Sequence, residues 1–422
     1  MDKKKVISWA LYDWGNSAFA TTVMAAFFPM LLKDYWSNPE NYNESTFYLG
    51  ISNSVASLIV AAMAPFLGAI SDTGSTKKKF LFTFAFLGAL STSLLWIVEQ
   101  GNWQIAALLY VIGCIGFSGG NTFYDALLPS VAKKDKFDFV SSLGFSLGYA
   151  GGGVLFVINI LMYQYPQSFG ISDPETAARL SLISVGTWWA VFTIPVLLFV
   201  PEEKNKNDIS LVNAVQLGWI QIKTTFKEIK KMKIIGVFLI SYFLYMDGVD
   251  TIIRMAFNIG DNLGFPTEDL LIVLLIVQFI GVPAALLFSW FSSIITPRNA
   301  VLFAIMVYTL ITGFSYFIET KTHIFIFAFF LGCFQGGIQA ISRSLFARLV
   351  PKGKEGEFFG FYNMLGKFSA VIGPTLLGYI TLLTGNVRIG LLSIVILFVG
   401  GGLIFYRVDF DEGERIAKEF SN

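Results

Sequence analysis

Twelve apolar runs, most of them about twenty residues or longer, constrain this chain to a helical fold that crosses a membrane many times. The hydrocarbon core of a bilayer takes about 20 residues of α-helix, whereas a transmembrane β-strand takes only about 9–11 residues that alternate in polarity. The runs are too long for strands and do not alternate. Only 14% of the residues are charged, where a soluble domain carries about 25%. We therefore predict an all-α integral membrane protein with spans near residues 8–32, 47–70, 79–98, 104–128, 139–163, 178–200, 234–257, 267–293, 299–318, 322–347, 358–383 and 387–407.

The distribution of lysine and arginine supports twelve spans and gives their predicted orientation. If the N-terminus is cytoplasmic, 24 of the 30 basic residues fall on the cytoplasmic side, as the positive-inside rule requires. A missed or additional span would remove this bias. We therefore expect a multi-pass protein of a bacterial inner membrane with both termini in the cytoplasm.

One long connection divides the predicted spans into two sets of six. Residues 201–233 join the sets, and apolar positions recur there at helical spacing from Leu211 to Ile229 among lysines. This pattern is typical of an amphipathic helix, either on the inner membrane surface or packed on the bundle as a solvated linker. The predicted parts are an N-terminal six-helix bundle at 1–200, the linker at 201–233, a C-terminal six-helix bundle at 234–407 and a cytoplasmic tail at 408–422.

The two sets of spans resemble each other as pseudo-repeats. A glycine-rich stretch begins at Gly113 in the fourth span and ends at Pro129. A similar stretch begins at Gly332 in the tenth span and ends at Pro351. Six spans separate the two stretches, and an even number preserves orientation, so the repeats are parallel. Two parallel six-helix halves with a long inner connection resemble the major facilitator superfamily, whose substrate path lies between the halves.

The connection after the second span adds to this resemblance. Gly68, Asp72 and Gly74 precede the lysines at 77–79, as in the superfamily's loop motif of a glycine, an aspartate four residues later, a glycine and a basic cluster. The spacing departs from the common form, because one residue separates Asp72 from Gly74 and no arginine follows the aspartate. The resemblance implies that Asp72 helps to latch the two halves on the inner side. A turn-capping aspartate is the alternative.

The first span opens with a stretch that resembles one branch of the superfamily. Residues 9–19 read Trp-Ala-Leu-Tyr-Asp-Trp-Gly-Asn-Ser-Ala-Phe, which is similar to the start of the Atg22-like family, also called UMF1. The resemblance implies a small-molecule transporter. The founding fungal members export amino acids such as leucine and tyrosine from the vacuole, so it also implies amino acids as substrates. The residues that carry it are Tyr12, Asp13, Trp14, Asn16, Ser17 and Phe19.

Polar residues inside the apolar spans are the candidate site. An ionisable side chain at the centre of a span costs about 2.5–3.5 kcal/mol on insertion scales, so such residues are usually paired or functional. In the superfamily the first, fourth, seventh and tenth helices line the cavity, and in this sequence the same spans carry mid-membrane polar groups. The candidates for the substrate or proton pathway are Asp13, Asn16, Asn121, Tyr124, Asp125, Tyr245, Asp247, Asp250, Arg254, Gln335 and Gln339.

A subset of polar residues in the inner halves of the spans suggests a gate. Asp13 and Asn16 are expected to face the other half, with Arg343 or Lys367 as partners. Removing one member of a buried ion pair costs about 3–5 kcal/mol, which is enough to bias a two-state equilibrium. A permanent structural ion pair is the alternative. The predicted gating residues are Asp72, Arg343, Asn363 and Lys367, and the last three are expected to meet Asp13, Asn16, Asn121 and Asp125.

The seventh span carries three charges on one helical face. Asp247, Asp250 and Arg254 are three and four residues apart. If Arg254 neutralises Asp250, then Asp247 is the deeper carboxylate, suited to a substrate ammonium or a proton. Alternatively, Asp247 and Asp13 only hold the helix geometry. In the tenth span, Gln335 and Gln339 lie one turn apart and suit a zwitterion.

Other functions find less support in the sequence. It contains no P-loop, no His/Cys metal cluster and no Gly-x-Ser-x-Gly motif, so we expect no enzyme activity, metal or cofactor. The net charge of +1 indicates no nucleic-acid partner. We expect a secondary transporter that moves a small solute by alternating access, with H+ as the candidate coupling ion, functional as a monomer among membrane lipids. The alternatives are a lipid scramblase or lipid exporter, an exporter of another metabolite or drug, a transporter-like sensor, and an enzyme that uses Asp13 with Asp125.

Overall fold

The structure is a computed structural model that describes residues 2–37, 42–202, 232–262 and 264–420. Most of the inner connection, 203–231, lies outside these residues, and with it the predicted amphipathic helix. The side chains of Arg254 and Lys367 also lie outside the described part, although both positions belong to helices.

Each of the twelve predicted runs is a helix, and the observed helix ends lie close to the predicted boundaries. We number these helices in chain order. They are α1 Lys3–Trp36, α2 Tyr42–Gly74, α3 Lys77–Leu94, α4 Trp103–Ala126, α5 Phe137–Gln164, α6 Pro174–Phe199, α7 Lys233–Asn262, α8 Thr267–Ile295, α9 Pro297–Phe314, α10 Lys321–Leu349, α11 Glu355–Thr384 and α12 Val387–Phe405. Within the described residues, eleven helices are long and apolar enough to cross a membrane, and α11 contributes a shorter apolar segment, Ile372–Thr384.

Local sequence explains how several of these helices begin. The Asp2 carboxylate accepts the N–H groups of Lys4 and Lys5 and so caps the start of α1. The Thr296 hydroxyl accepts the N–H of Asn299 and caps α9. These short polar side chains satisfy N–H groups that have no partner inside the first turn of a helix.

The outer half of α1 departs from regular α-helix. Segments Phe19–Phe27 and Leu32–Trp36 are π-helical, and the N–H of Phe28 bonds to the carbonyl of Val23, five residues earlier. The sequence gives no sign of this, because these residues are as apolar as the rest of the run. Such π segments are rare and often lie at functional sites.

Large apolar side chains are exposed on most of the helices. The third, sixth, ninth and twelfth spans carry few polar groups in their interiors, and each presents large exposed hydrophobic side chains. Isolated soluble proteins seldom expose so much apolar surface, whereas a bilayer covers it. Examples are Leu90 on α3, Leu198 on α6, Leu310 on α9 and Leu403 on α12.

Many helix contacts lie within each set of six, and others join the two sets. Among the first six helices, α1 packs on α5 and α6, and α4 packs on α2 and α3. Among the last six, α8 packs on α10, and α7 packs on α11 and α12. The two sets meet where α2 contacts α11 and where α5 contacts α8 and α10. Charged residues cluster at the inner side, which we define as the side of the N-terminus and the α2–α3 and α10–α11 connections.

The predicted tail at 408–422 contains a helix that the sequence reading did not include, α13 Phe410–Glu419. Asp409 caps it by accepting the N–H of Glu412. Gly413 and Ala417 are buried, and Gly413 lies against Leu349 at the inner end of α10. The helix therefore covers the inner ends of α7 and α10.

Close helix contact gives a first prediction. A Cβ at Gly116 on α4 would lie 2.5 Å from Gly88 Cα on α3, so Gly116→Ala should force the helices apart and cost about 1–3 kcal/mol. The expected result is a lower melting temperature of the purified protein in detergent. Gly313→Ala on α9 is the control, because no heavy atom lies within 4 Å of its added Cβ. Equal melting temperatures for the two variants would contradict this packing.

Candidate functional site

The centre of the site is an arginine from the second set of helices that inserts between helices of the first set. Arg343 on α10 is buried, and its Nη1 lies 2.8 Å from Asp125 Oδ1 on α4. Its Nε donates to Ser141 Oγ and its Nη2 donates to the Ser141 carbonyl, both at 2.8 Å. Asn363 on α11 donates to the second oxygen of Asp125 at 3.2 Å. Three residues predicted at the inner gate, Asp125, Arg343 and Asn363, therefore lie together, and all of these bonds join the two sets of helices.

Aromatic rings surround the Arg343 guanidinium. Its Cζ lies 4.4 Å from the ring centre of Phe145, 5.0 Å from that of Trp9 and 5.3 Å from that of Tyr124. Trp9 and Tyr124 stack at 4.2 Å, and the Trp9 indole donates to the Tyr124 carbonyl at 2.9 Å. A cation over an aromatic face gains about 2 kcal/mol or more when the pair is desolvated. The first set of helices therefore encloses the guanidinium. We call the site formed by Trp9, Tyr124, Ser141 and Phe145 the Arg343 socket.

Asp13 lies beside this socket without a direct bond to Arg343. Its carboxylate accepts the Ser17 hydroxyl at 3.2 Å and the Tyr124 hydroxyl at 3.3 Å. A Cβ at Gly148 on α5 would lie 3.2 Å from the Asp13 carboxyl carbon, so this glycine makes room for it. Asp13 is thus a buried carboxylate held by two long hydroxyl bonds, in contrast to the ion-paired Asp125.

Asn16 differs from its predicted orientation. It was predicted to face the other half, but its amide donates to Asn121 Oδ1 on α4, in the same set of helices. Among the described residues, no donor reaches the buried Asn16 Oδ1. Asn16 and Asn121 therefore connect α1 and α4 and leave one acceptor without a partner.

Asp72 joins the two sets at a second place on the inner side. Its carboxylate accepts the N–H groups of Gly356 and Glu357 at 2.9 and 2.8 Å. These groups belong to the first turn of α11, where the helix dipole favours an anion. Lys77 Nζ lies 2.8 Å from a carboxylate oxygen of both Asp72 and Glu355 and compensates one of their two negative charges. One interaction of Asp72 therefore both joins the two sets of helices and caps the first turn of α11.

Close backbone approach supports this contact. A Cβ at Gly68 on α2 would lie 2.1 Å from the Gly356 carbonyl oxygen. A Cβ at Gly360, one turn further along α11, would lie 2.5 Å from the Ala64 carbonyl oxygen. Glycine at these positions lets α2 and α11 touch along their backbones, which places Asp72 within reach of the α11 N-terminus.

A third contact joins the two sets at the inner ends of α5 and α10, and the sequence analysis did not predict it. Arg348 Nη2 lies 2.7 Å from Asp138 Oδ2, and the Ser344 hydroxyl donates to the other oxygen of Asp138. Nearby, Lys134 Nζ lies 3.7 Å from Glu414 Oε2 on α13. Charged residues at the ends of spans are usually solvated, so the presence of Asp138 and Arg348 there did not indicate a contact. The helical spacing of Arg343, Ser344 and Arg348, opposite Asp138 and Ser141, could have indicated it.

Two of the predicted residues of the seventh span, Tyr245 and Asp247, contact different helices. Asp247 is fully buried and accepts the backbone N–H of Gly373 on α11. The Tyr245 hydroxyl lies 2.7 Å from Ser342 Oγ on α10. Asp250 is half-buried. The predicted pairing of Asp250 with Arg254 involves a side chain outside the described residues, as does the predicted role of Lys367.

The glutamines of the tenth span lie near the contact between α5, α8 and α10. Gln335 and Gln339 are half-buried. A Cβ at Gly336 would lie 2.6 Å from the Tyr149 ring on α5, and the Gln278 amide donates to the Tyr149 carbonyl at 3.1 Å. Among the described residues, no donor reaches the buried Gln335 Oε1. Gln335 is thus an unsatisfied acceptor close to the middle of the bundle.

Comparison of the sequence with known families and proteins gives matches over nearly the whole chain. Residues 1–418 match the family described as "Vacuole effluxer Atg22 like". The uncharacterised MFS-type transporter YxiO of Bacillus subtilis (strain 168) is 37% identical over 421 residues, which cover 99% of this chain and 97% of that protein. Autophagy-related protein 22 of Saccharomyces cerevisiae (strain ATCC 204508 / S288c) is 23% identical over 509 residues, covering 99% and 94%.

Comparison with solved structures shows the fold. The MFS proton:xylose symporter XylE bound to 6-bromo-6-deoxy-D-glucose matches with a TM-score of 0.75 at 14% identity, covering 99% of this chain and 100% of that chain. The MFS transporter FucP in the outward conformation matches with a TM-score of 0.71 at 11% identity, covering 97% and 99%. The predicted fold class, a twelve-helix major facilitator fold, is confirmed.

A double-mutant cycle tests the buried ion pair. Asp125→Asn or Arg343→Gln alone should destabilise the protein by about 3–5 kcal/mol, because each leaves a buried charge without its partner. The double variant should lose much less than the sum of the two. Thermal unfolding of the purified protein in detergent measures all three variants.

The exposed pair of Glu412 and Arg415 on α13, whose N–O distance is 2.7 Å, is the matched control. Substituting both by glutamine should change stability by about 0–1 kcal/mol. Additive losses at Asp125 and Arg343 would show that the two residues do not interact.

Proposed function

The chain belongs to the Atg22-like family of major facilitator superfamily transporters, and we propose that it exports amino acids across the membrane, coupled to protons. Membership makes it a multi-pass membrane transporter rather than an enzyme. The amino-acid substrate, the direction and the proton are the proposal. We also propose a monomer in a bacterial inner membrane with both termini cytoplasmic.

The main support for alternating access is that Arg343 from the second set of helices inserts between helices of the first set. Its bonds to Asp125 and Ser141 join α10 to α4 and α5. The bonds of Asp72 join α2 to α11 on the same side. A path between the two sets cannot open inward while these contacts exist. We infer that this conformation is closed on the inner side, and that inward opening requires the contacts at Arg343, Asp72 and Arg348 to break.

We propose the contacts at Arg343 and Asp72 as the switch between states. Breaking the buried ion pair at Arg343 is unfavourable unless another partner replaces it, since each charge would otherwise remain desolvated. In the inward-open state, water entering from the inner side can solvate both charges. The energy difference between the states then stays small enough for substrate binding to shift the populations.

Asp13 is the proposed proton site. It is buried and lies close to the Arg343 socket, but its two bonds come from neutral hydroxyl groups. A protonated Asp13 could keep its contact with Tyr124, and a charged one would attract Arg343. The protonation of Asp13 would in this way influence whether Arg343 stays in its socket.

The unsatisfied acceptors support a substrate that donates hydrogen bonds. Asn16 Oδ1 and Gln335 Oε1 are both buried, and no described donor reaches either atom. A substrate ammonium group would satisfy such oxygens and would be attracted by the Asp13 carboxylate. Together with the family relationship, this chemistry favours an amino acid over a neutral sugar or an anion.

Transport in proteoliposomes tests this proposal. Purified protein should move labelled leucine or tyrosine across the liposome membrane, and a pH gradient should drive accumulation against the amino-acid gradient. If no amino acid is transported and lipid flip-flop accelerates instead, the proposal is wrong and a scramblase is the better account.

The role of Asp13 has its own test. In Asp13→Asn, the pH gradient should no longer drive accumulation, because the amide cannot take up a proton, whereas exchange of labelled for unlabelled amino acid should persist. Asp34→Asn is the matched control, since Asp34 is an exposed carboxylate on the same helix. Accumulation by Asp13→Asn at the wild-type level would exclude Asp13 as the proton site.

A further inference from the structure

Asp247 on α7 forms an unusual contact with the middle of α11. Both of its carboxylate oxygens lie 2.9 Å from the backbone nitrogen of Gly373. The Thr251 hydroxyl, one turn further along α7, donates to Asp247 Oδ1 at 3.4 Å. Asp247 and Thr251 are both fully buried. Both oxygens are placed to accept this one buried N–H group, so the contact fixes the α11 backbone on α7.

Gly373 is required for this contact because of space. A Cβ at this position would lie 1.9 Å from Thr251 Oγ1 and 2.9 Å from Asp247 Oδ1. The next residue is Pro374, which lacks an N–H group and interrupts the hydrogen bonds of α11. The carboxylate therefore holds α11 at the point where that helix is weakest.

The two segments of α11 on either side of this point have different partners. The inner segment touches the first set of helices, through Gly356 and Gly360 against α2 and through the Asn363 bond to Asp125. The outer segment packs on its own set, where a Cβ at Gly390 would lie 2.2 Å from Thr381 Oγ1. If the inner side opens, the inner segment must leave α2 while the outer segment stays in place.

We propose that Asp247 is a positioning residue that fixes the Gly373–Pro374 junction on α7, so that the inner segment of α11 swings about this point. This inference rests on the alternating access proposed above. It assigns Asp247 a role different from the substrate or proton site that its residue type suggests. The carboxylate acts as an acceptor for a backbone N–H, and its charge is not needed to carry an ion.

Substitutions at Asp247 separate these two roles. In Asp247→Asn the amide oxygen can still accept the Gly373 N–H, whereas Asp247→Ala removes the acceptor. Gly373→Ala displaces the contact from the other side. Gly378→Ala on the same helix is the matched control, because its added Cβ would meet no heavy atom within 4 Å.

The first readout needs no substrate. Spin labels at Lys233→Cys and Lys352→Cys, in a Cys114→Ala, Cys333→Ala background, report the distance between the inner ends of α7 and α11. We expect one narrow distance distribution for wild type, Asp247→Asn and Gly378→Ala, and a broader one for Asp247→Ala and Gly373→Ala. If Asp247→Ala does not fold, the comparison of Gly373→Ala with Gly378→Ala still decides the matter.

The second readout is amino-acid transport. Asp247→Ala and Gly373→Ala should lose turnover by about tenfold with little change in KM, whereas Asp247→Asn should keep both turnover and its dependence on pH. An Asp247→Asn variant as impaired as Asp247→Ala would overturn the inference, as would an unchanged distance distribution in Asp247→Ala. Failure of wild type to transport amino acids would contradict the proposed substrate alone, since the distance measurement does not use it.

Discussion

A buried charge in a membrane protein needs a partner, and the placement of Arg343 follows from this requirement. Its partner, Asp125, belongs to the other set of helices. The same pair that compensates two costly charges therefore also joins the two halves of the fold. In the proposed mechanism, each charge stays buried only while the halves touch, so the ion pair is stable only while the inner side is closed. The three aromatic rings and Ser141 shape the first set of helices around this single side chain.

The contact at Asp72 also joins the two sets of helices, but its carboxylate binds backbone N–H groups. Its carboxylate meets the N-terminus of α11, where unpaired N–H groups and the helix dipole attract an anion. Glycines on α2 and α11 allow this approach. In the proposed mechanism, the closed inner side thus depends on the ion pair of Arg343 inside the bundle, the helix cap at Asp72 and the contact of Arg348 with Asp138. Separating the halves exposes them to water, where their partners can be replaced.

The sequence predicted those features that are unusual in an apolar span. Asp125, Arg343 and Asn363 are conspicuous because charged and amide groups are costly in lipid, and the structure brings them together. Ser141 and Phe145 gave no such signal, since serine and phenylalanine are ordinary in membrane helices. Asn16 was assigned to the wrong side because periodicity gives the face of a helix only approximately. The π-helical part of α1 and the contact between Asp247 and Gly373 depend on backbone geometry, which residue types do not reveal.

The central claim is that the contacts at Asp72 and Arg343 hold the inner side closed and that it opens when they are removed. Spin labels at Lys136→Cys on the first set and Lys352→Cys on the second, in a background without the native cysteines, measure the distance across the inner side. Wild type should show mainly a short distance. The double variant Asp72→Asn, Arg343→Gln should shift the population to a longer distance. An unchanged short distance in a folded double variant would contradict the account.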